Sequence, residues 1–326
     1  MPAKIKKLTR QNLHGVWSAL IVPWTDRDEL DPRRFEREVR SYGGTGVHGV
    51  YTGGTTGEYY AQDDATYERI TRIACEQAHD VGLPIQIGAT ALSTRTANQR
   101  IRVALKAGAD AIQIALPFWL ELKDDEVKRF VKEIAAEAGA TPIILYLTSR
   151  SKRKLTPALL GEIAAAVPTF IGTKDTGSDL KQVRAMLRAA PDIAIFGGED
   201  FHERIPAGGR GGYCSITGFN ARKVVELYEL CAAGRMREAA PLAASIRRFL
   251  YEALVPMVKD EGLWDSAVDR IQRVAGGGDV GLRCQSPYRS GSQRHVKQVL
   301  AWCRKNTPEL LPGQGSKNPA SRGASS

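Results

Sequence analysis

The sequence predicts an α/β protein, a (β/α)8 TIM barrel that carries a C-terminal three-helix extension. Eight short runs of β-branched and aliphatic residues lie between residues 15 and 234, and a longer stretch with helical spacing follows each of them. This alternation is typical of a (β/α)8 barrel. After residue 234 the strand pattern stops and only helical spacing continues, which predicts the extension.

The strands are predicted, in chain order, from the eight apolar runs. These runs are Val16–Val22, Gly49–Thr52, Pro84–Gly88, Ala111–Ala115, Pro142–Leu147, Phe170–Thr173, Ile193–Phe196 and Gly212–Ile216. The stretches between them are predicted helices. In Asp125–Glu137, for example, apolar residues recur every three or four positions with charged residues between them, which indicates an amphipathic helix.

Helix-entry signals support the same reading. Asp31-Pro32, Thr156-Pro157 and Ser178-Asp179 precede helical stretches. A short polar side chain caps the first turn of a helix, and proline fits its first position. Gly276-Gly277-Gly278 follows a helical stretch and predicts a helix stop or a loop.

A doubly wound open sheet is the alternative fold. It usually contains fewer strands, and no G-x-G-x-x-G joins a first strand to its helix in this chain. We therefore expect residues 1–14 to form a basic leader, 15–234 the barrel, 235–311 the helical extension and 312–326 a disordered tail. The three helices predicted in the extension are Arg235–Val258, Gly262–Val274 and Ser290–Lys305.

The composition is that of an ordinary globular chain. Of 326 residues, 43% are hydrophobic and 25% are charged, which is enough to bury a substantial core. No apolar run approaches the roughly 18 residues of a membrane span, and residues 1–12 lack the apolar segment of a signal peptide. These features favour a cytoplasmic protein with no membrane partner.

Charge and cysteine usage bear on the partners. The five cysteines show no C-x-x-C spacing, which argues against a zinc site and a disulfide framework. The net charge is +10, but no nucleic-acid-binding motif accompanies it. Positive potential also steers anionic substrates toward a cleft. We expect no nucleic acid partner, no metal and no cofactor.

Candidate site residues lie where barrel strands end, because catalytic groups of (β/α)8 barrels occupy the C-terminal ends of strands. These ends contain Gly53–Glu58, Pro117-Phe118-Trp119, Tyr146, Lys174-Asp175, Gly198-Glu199-Asp200 and Cys214-Ser215-Ile216.

Lys174 is the most informative of these residues, because it follows the apolar run Phe170–Thr173 at the expected barrel mouth. An exposed lysine is almost entirely charged at neutral pH, whereas partial burial lowers its pKa and supplies a free amine. Such an amine condenses with a ketone, and the iminium then withdraws electrons from a breaking bond. A lysine that is solvated or paired with Asp175 is the alternative.

The segment Gly53–Glu58 is a candidate anion site. Glycines let backbone N–H groups approach an anion, and Thr55 and Thr56 add hydroxyl donors that suit a carboxylate. A plain strand-to-helix turn is the alternative. Tyr146 supplies a phenol that can act as an acid or a base, and a core tyrosine is the alternative there.

Together these segments resemble the dihydrodipicolinate synthase / N-acetylneuraminate lyase family. The resemblance extends in order from about residue 15 to residue 305. It rests on GGTTGE at Gly53–Glu58, ILY ending at Tyr146, GTKDTGSDL at Gly172–Leu180, and the regions Gly15–Leu20 and Gly212–Gly218.

The resemblance implies a Schiff-base lyase, an aldolase or a dehydratase, that acts on pyruvate or a related 2-oxo acid. It also implies a homotetramer or a homodimer. Lys174 would be the Schiff-base lysine, and Tyr146 would transfer protons together with Thr55. Thr55 and Thr56 would hold the substrate carboxylate, and the backbone near Cys214 would line the same pocket. The expected substrate-binding residues are Thr56, Gly54, Cys214, Trp119 and Arg150.

Two departures from the family pattern bear on the second substrate. Synthases continue the catalytic tyrosine as YNVPSRT, whereas here LTSRS follows Tyr146, so that Arg150 comes one position early. Trp119 stands where synthases use a tyrosine to complete a proton relay, and an indole N–H does not relay a proton as a phenol does. A lysine-biosynthetic synthase is therefore disfavoured. Pro117-Phe118-Trp119 is closer to hydratase-aldolases that cleave apolar side chains from pyruvate, and Arg150 either binds a substrate anion or is a surface residue.

Three functions compete at this point. The first is the Schiff-base lyase, with 4-hydroxy-tetrahydrodipicolinate synthase proper as its alternative. The second is a non-catalytic sensor of oxo acids on the same barrel, which the presence of Lys174, Tyr146 and both threonines disfavours. The third is a barrel that binds nucleic acid or a phosphorylated ligand. The basic residues lie mostly in the leader, the outer helices and the tail, which disfavours the third.

Overall fold

The computed structural model describes residues 5–313 and contains a closed barrel of eight parallel strands. Each strand pairs with the next along the chain, and β8 closes the barrel against β1. The strands are β1 (Gly15–Ala19), β2 (Gly49–Thr52), β3 (Ile85–Gly88), β4 (Ala111–Ala115), β5 (Ile143–Leu147), β6 (Phe170–Asp175), β7 (Ala194–Gly197) and β8 (Gly211–Gly212). The predicted (β/α)8 barrel with C-terminal helices is confirmed.

Helices connect the strands and continue beyond them. The helices are α1 (Pro32–Arg40), α2 (Asp64–Asp80), α3 (Thr94–Lys106), α4 (Asp124–Ala138), α5 (Pro157–Ala166), α6 (Leu180–Ala189), α7 (Phe201–Arg204), α8 (Thr217–Ala232), α9 (Met236–Arg248), α10 (Val255–Lys259), α11 (Asp265–Ala275) and α12 (Gln293–Asn306). A π-helical segment, Phe249–Leu254, joins α9 to α10. The extension therefore contains three helical runs, as predicted.

The predicted helix-entry signals form caps. The side chains of Asp31, Thr156 and Asp179 accept hydrogen bonds from backbone N–H groups in the first turns of α1, α5 and α6. At the other end of a helix, Gly276 is the C-cap of α11, and Gly277 has a φ of 91°. This left-handed conformation favours glycine and stops the helix.

Two strand predictions are corrected. β1 ends at Ala19 rather than Val22, and β8 contains only Gly211–Gly212 rather than Gly212–Ile216. The backbone after β8 turns immediately into α8, since Gly218 N donates to Ser215 O and Phe219 N donates to Ile216 O. Apolar composition does not separate a strand from such a buried turn.

The apolar core has two parts. One lies between the barrel and its surrounding helices. The other fills the barrel and contains Leu8, Leu13, Trp17, Ala19, Tyr51, Ala111, Ile144, Ile171, Ala194, Phe196 and Tyr213. Arg10 donates to the carbonyl of Phe170, at the start of β6. Residues 5–14 therefore close the N-terminal end of the barrel and leave its opposite end for a ligand.

A buried ion pair joins the extension to the barrel. Arg270 of α11 lies 2.7 Å from the Glu58 carboxylate and donates to the carbonyl of Val22 at 2.6 Å. Both charged side chains are fully buried, and Trp24 Nε1 also donates to Glu58. Glu58 therefore fixes the turn after β2 against α11.

Some expectations reach beyond these observations. Residues 314–326 of the predicted disordered tail and the first four residues of the leader lie outside the described part of the chain. The four-part division of the chain stays a prediction. Within residues 5–313, every helix is too short or too polar to cross a membrane. No group of three or more His, Cys, Asp or Glu residues within this range is placed to hold a metal ion.

Candidate active site

Strand register brings Lys174 and Tyr146 together. Tyr146 of β5 pairs with Lys174 of β6, so both side chains reach the C-terminal end of the barrel. Lys174 is only 6% exposed. Its Nζ lies 2.9 Å from the Tyr51 hydroxyl and 4.3 Å from the centre of the Tyr146 ring, and the Tyr213 ring centre is 5.4 Å away. Three phenol rings therefore surround the amine.

Asp175 does not pair with Lys174. Its side chain points away from the barrel interior and lies 3.3 Å from Arg204. It also accepts hydrogen bonds from the backbone N–H groups of Gly177 and Ser178. Asp175 thus holds the loop after β6, and the alternative reading of Lys174 as its partner does not apply.

The sequence predicts a lowered pKa for Lys174, and this prediction is wrong. Burial alone has that effect, but the phenols of Tyr146 and Tyr51 outweigh it and raise the pKa of Lys174 above its ordinary value. For Tyr146, burial raises the pKa, but the positive charge of Lys174 outweighs it and lowers the pKa overall. The pair therefore favours a protonated amine and lowers the cost of ionising Tyr146.

The turn Gly53–Glu58 follows β2 and lies beside the amine. Gly53 has a φ of 75°, and a Cβ there would lie 2.5 Å from the carbonyl oxygen of Gly88, so glycine is required at this close approach. Thr55 and Thr56 line the cavity that contains Lys174. The Thr56 hydroxyl donates to the Asp269 carboxylate at 2.6 Å.

The main cavity, here called the lysine cavity, has a volume of about 450 Å³. The barrel and the extension both supply its lining. Its charged and polar side chains include Lys174, Tyr51, Tyr146, Thr55, Thr56, Arg150, Glu199, Lys259, Asp265 and Asp269. Glu199, after β7, accepts hydrogen bonds from the backbone N–H and hydroxyl of Ser215.

A second space, here called the apolar cavity, has a volume of about 260 Å³. It adjoins the lysine cavity, because Thr55, Tyr146 and Arg150 line both. Gly54 lines it too. Its aromatic residues are Tyr59, Tyr60, Phe118, Trp264 and Tyr288. The two adjoining cavities therefore have space for a ligand that carries a small polar group near Lys174 and a larger apolar group attached to it.

Trp119 does not line the lysine cavity, whereas Cys214 lies between two residues that do. Trp119 is 71% exposed and lines a separate surface depression, where Lys152 Nζ donates to its carbonyl and lies 5.9 Å from its ring centre. Phe118, its neighbour, lines the apolar cavity instead. Cys214 is buried, and the adjacent Tyr213 and Ser215 line the lysine cavity.

Arg150 does lie at the site, at the junction of the two cavities. Its guanidinium lies 2.9 Å from the carboxylate of Asp265, and both side chains are 45% exposed. Arg150 is therefore neither an isolated surface residue nor a free anion receptor. It is an exposed cation already paired with an acid of the extension.

The sequence interpretation missed Tyr51 and Asp269. Tyr51 lies two residues before Gly53 in β2, so the strand alternation that directs side chains inward could have found it. Asp269 is separated from Thr56 by 213 residues. No motif marks it, and only the docking of α11 brings it to the site.

Comparisons with known proteins agree with this geometry. The model of the dihydrodipicolinate synthetase family matches residues 12–259. An N-acetylneuraminate lyase from Salmonella typhimurium is 30% identical over 221 residues, which cover 66% of this chain and 73% of that protein.

Solved structures share the fold at lower identity. A complex of YagE, a prophage protein of the dihydrodipicolinic acid synthase family from E. coli K12, with pyruvate has a TM-score of 0.81 at 21% identity and covers 90% of this chain and 98% of its own. The N-acetylneuraminate lyase from Fusobacterium nucleatum has a TM-score of 0.78 at 22% identity, with coverages of 90% and 99%.

Proposed function

Because this chain belongs to the dihydrodipicolinate synthetase family, we propose that it is a lyase in which Lys174 forms a Schiff base with pyruvate or a related 2-oxo acid. The observation that carries this proposal is the position of the Lys174 amine. It is buried at the barrel mouth, opens into the lysine cavity and lies against the phenols of Tyr146 and Tyr51.

The first step uses the proton preference of the Lys174–Tyr146 pair. The ionised phenol of Tyr146 removes a proton from the ammonium, and the neutral Nζ attacks C2 of the 2-oxo acid. A proton moves from nitrogen to oxygen to give a carbinolamine. Tyr146 then donates its proton to the departing hydroxyl, which leaves as water, and an iminium remains.

When the bound acid is a 4-hydroxy-2-oxo acid, the second step breaks the bond between its C3 and C4. Its electron pair flows to the iminium nitrogen and forms an enamine, while the C4 hydroxyl gives its proton through Thr55 to the Tyr146 phenolate. The C4 fragment leaves as an aldehyde. Protonation of the enamine at C3 and hydrolysis by water release pyruvate and regenerate Lys174. In a dehydratase, the Tyr146 phenolate would take a proton from C3 of the same iminium to give an enamine, which would expel the C4 hydroxyl as water when Tyr146 returns that proton.

The turn Gly53–Glu58 supports a seat for the substrate carboxylate. Gly54 and Thr55 line the apolar cavity, and Thr55 and Thr56 line the lysine cavity together with Lys174. Holding the carboxylate there directs the adjacent C2 carbonyl toward the amine. Backbone donors that the turn fixes before the substrate arrives cost little reorganisation.

The apolar cavity supports an aldehyde partner with an apolar group. Its aromatic lining lies next to Tyr146, where the C4 fragment would be released. 4-Hydroxy-tetrahydrodipicolinate synthase proper is the less favoured alternative, because Arg150, a cation at the junction of the two cavities, is already paired with Asp265. We also propose that the protein is cytoplasmic and forms a homotetramer or a homodimer. Sedimentation would test the oligomeric state.

Borohydride trapping tests the proposal. The full chain is incubated with pyruvate, reduced, and analysed by intact and peptide mass spectrometry, and we expect one adduct on Lys174. Lys174→Ala removes it and lowers lyase turnover by about 10⁴-fold or more, as loss of a covalent nucleophile does. The matched control is Lys259→Ala, which removes another lysine of the same cavity and keeps the adduct.

Two results would contradict the lyase. One is an adduct that persists in Lys174→Ala. The other is no adduct with pyruvate or related oxo acids, which favours the sensor. A panel of aspartate semialdehyde, sugar acids, and aldehydes with larger apolar groups, each offered with pyruvate where needed, then separates the synthase from the aldolases.

A further inference from the structure

The orientation of the Thr56 hydroxyl sets a condition on substrate binding. A hydroxyl carries one proton, and Thr56 points this proton at Asp269 Oδ2, 2.6 Å away. The second oxygen of Asp269 accepts a hydrogen bond from Gln272 Nε2 at 2.9 Å. In this arrangement Thr56 presents only lone pairs to the cavity, and lone pairs repel a carboxylate.

We propose that Asp269 is a positioning residue that controls, through the Thr56 hydroxyl, the binding of the 2-oxo acid carboxylate. When Asp269 carries a proton, it donates this proton to Thr56 Oγ1, and Thr56 donates its own to the substrate. When Asp269 is ionised, it takes the Thr56 proton and adds a negative charge beside the carboxylate seat. This inference rests on the proposed function, since it assumes that the turn Gly53–Glu58 receives a carboxylate.

The surroundings of Asp269 make both protonation states accessible. Burial raises its pKa, as do the charges of Asp265 and Glu199, while the hydrogen bonds from Thr56 and Gln272 lower it, and the resulting pKa is about 7. Each element around the residue contributes groups that act on its charge or line its cavity. The acidic or neutral ones are Asp265, Glu199, Tyr51 and Cys214, and the basic ones are Lys174, Arg150 and Lys259.

The sign of the pH effect follows from this raised pKa. Below pH 7 Asp269 is mostly protonated and Thr56 is free to donate, so the half-saturating pyruvate concentration is insensitive to this group. Above pH 7, binding must be accompanied by proton uptake at Asp269. Ionisation of Asp269 therefore raises the half-saturating pyruvate concentration by about tenfold for each pH unit above 7.

The experiment measures the pyruvate concentration that gives half-maximal borohydride trapping, from about pH 6 to about pH 9. It compares the full-length protein with Asp269→Asn, Thr56→Val and the double variant. Asparagine keeps the shape of Asp269 and donates an N–H to Thr56 at every pH. Valine keeps the shape of Thr56 and removes its hydroxyl. Other titrations, including that of Lys174, are common to all four proteins.

We expect the steep rise above pH 7 in the unmodified protein and its loss in Asp269→Asn. Thr56→Val should weaken pyruvate binding across the range, and adding Asp269→Asn to it should recover little. A wild-type profile in Asp269→Asn would overturn the inference. So would an Asp269→Asn effect that is equally large without the Thr56 hydroxyl, because Asp269 would then act through its charge alone.

Failure of the proposed function has a different signature. In that case no adduct on Lys174 forms at any pH in any of the four proteins, and the inference falls with it. If the adduct forms but its concentration dependence is the same in all four proteins at every pH, only the role of Asp269 and Thr56 is overturned. If Asp269→Asn does not fold, the profile of Thr56→Val against the unmodified protein still decides the question.

Discussion

The two walls of the lysine cavity are held in place by different kinds of interaction. The barrel wall consists of Lys174, Tyr146 and Tyr51, which lie on strands whose backbone hydrogen bonds fix their register. The extension wall includes Asp265 and Asp269 of α11, and Trp264, the residue before α11, continues this wall along the adjoining apolar cavity. This second wall is positioned by side-chain packing and by a few polar links to the barrel.

The difference separates chemistry from selection. Strand register fixes the positions of a nucleophile and a proton-transfer group to within a fraction of an ångström. Covalent catalysis needs this precision. Packing of α11 leaves the opposite wall free to vary with the substrate. We therefore expect changes in the barrel wall to affect turnover, and changes in the extension wall to affect binding, selectivity or stability.

The largest expected effect is on stability, at the Glu58–Arg270 pair that joins the extension to the barrel. Arg270→Ala leaves the buried Glu58 carboxylate without its cation, and breaking a buried pair in this way costs about 3–5 kcal/mol. Urea denaturation should show this loss in the free energy of unfolding. The control is Arg248→Ala, which removes an exposed pair with Glu252 and should cost less than about 1 kcal/mol. Equal costs for the two variants would mean that the joint does not hold the extension.

The next effect concerns the barrel wall. Tyr146→Phe keeps the ring beside Lys174 but removes the proton-transfer group, so kcat should fall by about 100-fold or more. Tyr213→Phe is the matched control, because its ring also faces the amine while its hydroxyl donates to Gln86. Steady-state kinetics should show a decrease of at most a few-fold for this control. A kcat loss of the same size in both variants would contradict a specific role for Tyr146.

The smallest effect concerns the extension wall. Trp264→Ala should lower kcat/KM for large apolar aldehydes by about tenfold, which corresponds to about 1.4 kcal/mol of lost apolar contact. Trapping of pyruvate alone should not change. The control Trp119→Ala removes a tryptophan of similar exposure, 71% against 56%, that lies outside both cavities. If Trp119→Ala has the larger effect on aldehyde selectivity, the apolar cavity does not receive the second substrate.

The barrel and its lysine were predictable because local patterns encode them. The strands follow apolar runs, helix-entry signals precede α1, α5 and α6, and the residue after an apolar run reaches the barrel mouth, as Lys174 does. Strand ends were less predictable. The buried turn after β8 has the same apolar composition as a strand, and only its hydrogen bonds show that the sheet has ended at Gly212.

The rest of the site could not be predicted because it depends on tertiary packing. The hydrogen bond between Thr56 and Asp269 joins residues 213 positions apart, and no spacing rule connects them. Trp119 lies at the surface, where Lys152 from another loop donates to its carbonyl, and the sequence pattern does not reveal this contact. The pKa of Lys174 depends on how closely the phenols approach it, and this distance is not encoded in the strand pattern.

The link between Glu58 and Arg270 has a consequence for how the chain folds during translation. The two residues are 212 positions apart, and β8 ends at Gly212, so all eight strands are synthesised before the arginine. Until α11 docks, the nascent barrel carries a carboxylate that water must solvate, and the turn that bears both threonines lacks its anchor. We therefore expect the turn after β2 to reach its final position only once α11 has docked, and a chain that ends before α11 to expose a carboxylate that the complete structure buries.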